Sequence, residues 1–329
     1  MGKKDIKSMN NSLAKNYQKK KPREHCLDAP DTYIGSIEQD EIANWTLEGD
    51  SLKFKKYMWI PGLYKCFDEA IVNSRDHVIR LKEKIKNGEK KIKPVTYISV
   101  EINRKTNVIS ITNDGNGIDV AKHPEHKLWI PEMIFAHLMT STNYDKTAKK
   151  TVGGKNGFGI KLALIFSTWG KLETIDHVRK KKYVQEYTEN LSKIHKPKIT
   201  KSSAKPYTKI SFLLDFKRFG IENITDDIYY LLKKRTYDIG AITSKEVCVT
   251  FNKTVVPCRN FEQYIDLCIG NKIETPRIYL NESKRWEYAV CLTPRGEFTQ
   301  LSFVNGIYTA KGGKHIEYIL NQLIRKISA

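Results

Sequence analysis

The chain has 329 residues, 40% of them hydrophobic, and 57 Lys and Arg against 37 Asp and Glu give a formal net charge of +20. At roughly 150 residues per domain this is a two-domain chain, with too much apolar material to be collagen-like or low in complexity. No run reaches ~18 apolar residues, and Met1 to Lys21 is polar and Lys-rich, so neither a transmembrane helix nor a secretory signal is expected.

Residues 1–30 hold eight basic and three acidic residues without periodicity and read as a mobile arm. Pro30-Asp31 opens a turn, and Asp31 to Gly35 is a compact segment. Weak alternation from Trp45 to Trp59 predicts short strands. Pro61-Gly62 marks a helix start; Leu63, Phe67, Ile71 and Val78 keep helical spacing, and Asn87-Gly88 stops the helix after Lys86. The β-branched runs Val95–Ile102 and Val108–Thr112 predict a hairpin that ends in Asn113-Asp114-Gly115-Asn116-Gly117. A helix is expected over Pro131–Met139, and Thr140–Asn156 reads as a loop long enough to be a lid. A helix follows over 159–167, then strands at 171–177, 183–189 and 207–214, and a helix over 224–237. The pattern restarts after Asp238-Ile239-Gly240. It predicts a strand at 247–251, a helix over 261–269, strands at 277–280, 286–292 and 299–304, and a last helix over 315–327. The domain boundary is placed near residue 243.

The six cysteines include no C-x-x-C pair, and the expectation is reduced, mostly buried thiols inside the cell. His123 and His126 share a loop without a third close ligand, which favours structural roles over a metal site.

Three motifs carry chemistry. Glu69, Asn73 and Asp76 stand four and three apart, so the predicted helix puts them on one face. Alone, that could be a solvated face. Asp114-Gly115-Asn116-Gly117-Ile118 follows a strand, where two glycines let backbone approach a flat ligand and a carboxylate can accept from an exocyclic amine. Alone, it could be an ordinary turn. Gly153 to Lys161 is a Gly-rich loop leading into a helix, able to cradle phosphates or to serve as a linker. It fits neither the P-loop pattern nor the Rossmann context.

In this order the three motifs resemble the GHKL ATPase superfamily of gyrase, Hsp90, histidine kinases and the mismatch-repair ATPases. Longer segments narrow the resemblance. Asp31–Ser36, Ile60–Glu69, Leu138–Asp145 and Gly153–Lys161 look like eukaryotic and viral type IIA DNA topoisomerases. Phe303–Ile307 and Lys311–His315 resemble that family's transducer domain. The resemblance covers roughly residues 17–327.

The resemblance implies an α/β fold: a GHKL (Bergerat) sandwich of helices on a mixed sheet, then a truncated transducer domain like ribosomal protein S5. It divides the chain into a basic arm over 1–30, an ATPase domain over 31–243 and the first part of the transducer over 244–329. It implies ATP and Mg²⁺ as ligands, with Glu69 as the general base and Asn73 as the metal ligand. Asp76 is a further polar group of the same motif, and Arg80 lies near the phosphates. Asp114, with Asn113 before it, stands where the family reads adenine, beside Gly117. Ser141, Thr142 and Asn143 match a segment that contacts ribose and phosphate. Gly154, Lys155, Asn156, Gly157, Phe158, Gly159, Ile160 and Lys161 match the phosphate loop, with Lys155 in place of the usual Arg and Phe158 in place of Tyr. Tyr17 matches an arm residue that reaches the partner protomer's nucleotide.

The implied function is the ATP-operated N-gate of a DNA topoisomerase, a homodimer acting on double-stranded DNA in the nucleus or a viral replication compartment. The DNA-cleaving core and a distal transducer Lys are expected to lie beyond this sequence. The net charge of +20 suits a polyanionic partner. Residues 145–215, with sixteen basic and six acidic residues, are one candidate surface, and Lys311 and Lys314 are another. Two other readings remain at this point: a GHKL clamp without strand cleavage, and a basic DNA-binding module with an inactive pocket.

Overall fold

A computed structural model describes residues 20–138, 158–283, 286–293 and 296–328. It opens with helix α1 (Pro22–Asp28) and a 3-10 turn at Pro30–Thr32. The expectation of a mobile arm over 1–30 therefore fails for its last part. Cys26 is fully buried in the main core, and that contact outweighs the charged composition around it.

Strands β1 (Asp40–Glu48) and β2 (Ser51–Trp59) form one antiparallel hairpin around Gly49, where φ is +63°. Helix α2 (Pro61–Lys86) follows. Pro61 occupies its first turn, where a missing N–H costs nothing, and the helix stops at Asn87. Leu63, Phe67, Ala70, Ile71, Val78 and Leu81 are its buried apolar side.

The main sheet holds β3 (Tyr97–Asn103), β4 (Val108–Asp114), β5 (Ser167–Asp176), β6 (Lys181–Thr188), β7 (Lys193–Ile194), β8 (Lys198–Lys201), β9 (Tyr207–Leu214), β10 (Cys248–Phe251) and β11 (Thr254–Val255). The order is β11-β10-β3-β4-β9-β5-β6-β7, with β8 also on β6. Only the β10–β3 pair is parallel, so the sheet is mixed. Between its strands lie α3 (Ile130–Ala136), α4 (Gly159–Ile165) and α5 (Asp226–Ile242). Ile98, Val100, Ile109, Ile111, Leu172 and Phe212 of the sheet share one core with these helices and α2. This is the expected α/β class of helices on a mixed sheet.

Thr225 caps α5 by accepting from the Ile228 N–H. Asp226 and Asp227, acidic residues in the first turn of α5, also make long-range ties. Asp226 pairs with Arg104 at 2.6 Å, and Asp227 accepts from the Met58 N–H at 2.9 Å.

The remaining elements are α6 (Phe261–Ile269), β12 (Arg277–Ser283), β13 (Trp286–Cys291), β14 (Phe303–Val304), β15 (Ile307–Tyr308) and α7 (Lys314–Ile327). β10 lies beyond residue 243 yet pairs with β3, so the division expected there falls inside the first sheet. The strand expected at 299–304 is confined to Phe303–Val304. All six cysteines are free.

A buried set of charges joins α2, α5 and α6. Arg235 Nε donates to Asp68 Oδ1 at 2.6 Å. Lys234 Nζ donates to Asp238 Oδ2 at 3.0 Å, and the Tyr264 hydroxyl donates to Asp238 Oδ1 at 2.5 Å. Arg235 has no exposed surface. Removing one partner leaves the other charge stranded, so Asp68→Ala should cost about 3–5 kcal/mol in urea unfolding. A loss under about 1 kcal/mol, the size of an exposed pair, would contradict that reading.

Candidate functional site

Glu69, Asn73, Asp76 and Arg80 follow one another at helical spacing and form a single stripe along α2. The stripe runs from a half-buried Glu69 through an exposed Asn73 to a buried Asp76. Lys65, one turn before, places Nζ 2.5 Å from Glu69 Oε1. Burial works against the Lys65 charge, but the Glu69 carboxylate outweighs it and holds the ammonium above its ordinary range.

The first residue of α4, Gly159, lies against the same carboxylate. A Cβ at Gly159 would overlap Glu69 Oε2, so any other residue here would push the carboxylate from its present place. Phe158 packs on Tyr33 with ring centroids 6.2 Å apart. Ile160 and Lys161 are both buried, Lys161 to 2% exposure, and burial lowers its ammonium to about 8.

The end of β4 departs from expectation. Consecutive strand residues point to opposite faces. Asn113 shares a face with the core residues Ile109 and Ile111, whereas Asp114 shares the other with Ser110 and Thr112. Both Asp114 oxygens are engaged. Oδ1 accepts from the Thr96 and Tyr97 N–H groups at 2.6 and 3.0 Å. Oδ2 accepts from the Thr96 hydroxyl at 2.5 Å and meets Lys205 Nζ at 2.8 Å. Burial alone would raise this carboxyl, but Lys205 and the Thr96 and Tyr97 donors bring it below its ordinary value. Asp114 is committed to holding the start of β3, and the position on the helix-covered face is Asn113.

Gly117 is pressed against β5. Its φ is +67°, and a Cβ would overlap the Ile175 carbonyl. The Ile118 N–H donates to Thr174 Oγ1 at 3.0 Å, and the Val120 N–H donates to Asp176 Oδ2 at 2.9 Å. The glycine is required by close packing of the loop on a strand.

His77 lies on α2 beside this loop. Its buried Nε2 has no hydrogen-bond partner. Burial foremost, then Arg80 and Lys84, push the imidazole down to about 4 against the opposing pull of Asp114.

His123, Glu125 and His126 bring ligand atoms within 4.8 Å of one another, so a third close group does exist. His123 Nδ1, however, accepts from the Glu125 and His126 N–H groups at 3.3 Å each. Its lone pair is used by the turn, in keeping with a structural role. Tyr17, Ser141, Thr142, Asn143, Gly154, Lys155, Asn156 and Gly157, with most of the lid expected over 140–156, lie outside the described residues.

Residues 60–218 match the family described as histidine kinase-, DNA gyrase B- and HSP90-like ATPase, and residues 260–329 match DNA gyrase B. The ATPase region of Saccharomyces cerevisiae topoisomerase II superposes with a TM-score of 0.85 at 39% identity, over 96% of this chain and 81% of that one. The chain belongs to the ATPase region of the topoisomerase II family. The ATPase and transducer domains of Balamuthia mandrillaris DNA topoisomerase II give a TM-score of 0.86 at 35% identity, over 95% of this chain and 77% of that one. DNA topoisomerase 2 of Acanthamoeba polyphaga mimivirus is 41% identical over 95% of this chain. The chain spans 24% of that protein, and 21% of its Arabidopsis thaliana relative, also 41% identical over 95% of the chain.

Lys65, Thr174 and Lys205 are site-supporting residues that the sequence reading missed. The four-residue spacing of Lys65 and Glu69 was a visible signal. Thr174 and Lys205 are placed by sheet register, which no local pattern carries.

The buried neutral His77 sets a pH dependence. The unfolded imidazole takes up a proton below about 6.5, and the folded one does so only near 4. Stability is therefore whole above pH 6.5 and falls as the pH drops toward 4. Urea titrations at pH 8 and pH 5 should show His77→Gln losing about 2 kcal/mol less than the parent over that interval. Equal losses would mean that His77 is not held neutral.

Proposed function

We propose that this chain binds ATP with Mg²⁺ and hydrolyses the γ-phosphate, serving as the ATP-operated gate of a type II DNA topoisomerase. The observation that carries this is the contact of Glu69 with Gly159. It sets a carboxylate against the start of the helix entered from the Gly-rich segment, at the head of a stripe of oxygen-bearing side chains. That donor set, without Cys or His, suits a hard cation.

Water attacks the γ-phosphorus, the bond to the ADP oxygen breaks, and ADP and phosphate leave. Glu69 accepts the proton of the attacking water. Lys65, paired with that carboxylate, holds it in place. Lys161, with the segment from Gly154 to Gly159, neutralises phosphate charge. The exposed amide of Asn73 would hold the metal, which when bound supplies charge neutralisation at the phosphates. Asp76 and Arg80 continue the polar stripe, and Asn113 in place of Asp114 faces the base. Ser141, Thr142 and Asn143 contact ribose and phosphate.

In the whole protein, hydrolysis would open and close a homodimeric gate for double-stranded DNA. Tyr17 would cross to the partner, and the DNA-cleaving core would lie elsewhere in the protein. The charge of +20 supports a DNA partner. Nuclear or viral-compartment residence belongs to the same reading. Among the described residues no helix is long and apolar enough to cross a membrane.

Glu69→Gln should lower hydrolysis at least ~100-fold while nucleotide affinity stays within about twofold. Hydrolysis at the parent rate would remove Glu69 as the base, and no calorimetric binding at millimolar ATP would sink the whole reading. The lowered Lys161 makes a second measurement possible. At pH 8 the Lys161 amine is about half protonated before nucleotide binds, and bound phosphates restore its proton. Calorimetry in buffers of different ionisation enthalpy should register uptake of roughly half a proton per nucleotide at pH 8, lost in Lys161→Met. Equal uptake by parent and variant would assign the proton elsewhere.

A further inference from the structure

The hairpin β14–β15 meets helix α2 directly at Arg75 and is tied to Asp68 of that helix through the buried Arg235 guanidinium. Arg235 Nη2 donates to the Gly306 carbonyl at 2.7 Å while Nε donates to Asp68 Oδ1. Nη1 faces Asp238 Oδ2 at 3.8 Å. Two more ties seat the same hairpin. The Lys234 ammonium stands 3.7 Å from the Tyr308 ring centre, and the Tyr308 hydroxyl donates to Asn44 Oδ1 at 2.7 Å. The turn itself, Asn305-Gly306, has φ of +51° and +86° and is wedged beside Arg75 of α2.

Asp68 immediately precedes Glu69. Consecutive helical residues point about 100° apart, so Asp68 faces α5 while Glu69 faces Gly159. A turn of α2 about its axis that frees Asp68 from Arg235 also swings the Glu69 carboxylate. A rotation of ~10° moves a carboxylate tip ~1 Å, and a misplacement of ~1 Å in a reacting group can cost ~100-fold in rate. Burying four charges is a poor route to stability, because desolvation consumes most of the gain, whereas it does impose one geometry.

We propose that Arg235 is a positioning residue that fixes the rotation of α2, and hence the place of Glu69, according to whether the β14–β15 hairpin is seated. Hydrolysis is thereby conditional on the docking of the segment that follows the ATPase sheet. This rests on the reading of Glu69 as the base, and the experiment separates the two.

The variant is Gly306→Val in the full chain. Its Cβ meets Arg75 Nη1 at 2.5 Å and Cζ at 2.8 Å, so Arg75 must give way, and a φ of +86°, which β-branched residues avoid, strains the turn out of its present seat. It touches none of Glu69, Asn73, Gly159 or Lys161. The expected result is a kcat lower by about tenfold, nucleotide affinity within about twofold, and faster amide exchange confined to residues 64–72, with β3 and β4 unchanged. Arg235→Lys keeps the charge but not the fork that spans Asp68 and Gly306, and should shift the same three readouts in the same direction. Parent-like kcat and parent-like exchange in Gly306→Val would overturn the proposal. Loss of kcat and affinity together, with faster exchange in β3 and β4, would overturn it as well, by showing general loosening. If Glu69→Gln keeps the parent rate, the base assignment fails, while the exchange of residues 64–72 still decides whether Arg235 couples hairpin to helix.

Discussion

Helix α2 is committed on two of its three faces, and that constraint organises the molecule. Phe67 and Ile71 hold one face in the core, Asp68 binds the second to α5, and the stripe from Glu69 to Arg80 is left for chemistry. A helix anchored on two faces cannot turn, so the third presents its groups at fixed positions without spending ligand binding energy to order them. The Lys65–Glu69 pair adds the last adjustment. Its strength comes from partial burial, since an exposed pair at this spacing would contribute only a few tenths of a kcal/mol.

The glycines act through absence of volume. Gly117 and Gly159 stand in motifs that read equally as turns, linkers or phosphate cradles. What distinguishes them is what a Cβ would strike: the Ile175 carbonyl in one case and the Glu69 carboxylate in the other. The first is a packing requirement between loop and strand. The second concerns the candidate site, because it lets the start of α4 lie against the Glu69 carboxylate. Sequence alone cannot tell these apart, since the deciding atoms lie 58 and 90 positions away along the chain.

Much of the fold was legible because the signals are local. Pro61 and Asn87 bracket α2, the runs at 95–102 and 108–112 form the expected hairpin, and α6 spans the expected residues. The misreadings share a cause, which is long-range pairing. Nothing near Cys26 announces its burial beneath charged neighbours. Nothing near Val249 announces that it pairs with Ile98, across the boundary placed where the pattern restarts. Asp114 looked like the ligand-facing member of its pair because a carboxylate suits an amine. Strand parity reverses the choice, and Thr96, Tyr97 and Lys205 supply the donors that explain the carboxylate.

The two ends of the described chain are consequently joined by more than a linker. β10 extends the first sheet in parallel, and the chain then runs through α6, whose Tyr264 caps Asp238. It returns through β14–β15 to the guanidinium that holds Asp68. A flexible tether would let the second unit sample many orientations, each at little cost. Here displacement must break the charge-assisted hydrogen bond from Arg235 to the Gly306 carbonyl and lift the Tyr308 ring from the Lys234 ammonium. Fixed ties of this kind are what the helix carrying Glu69 would need to respond to a distant element, because a continuously deformable joint would blur a shift of ~1 Å into nothing.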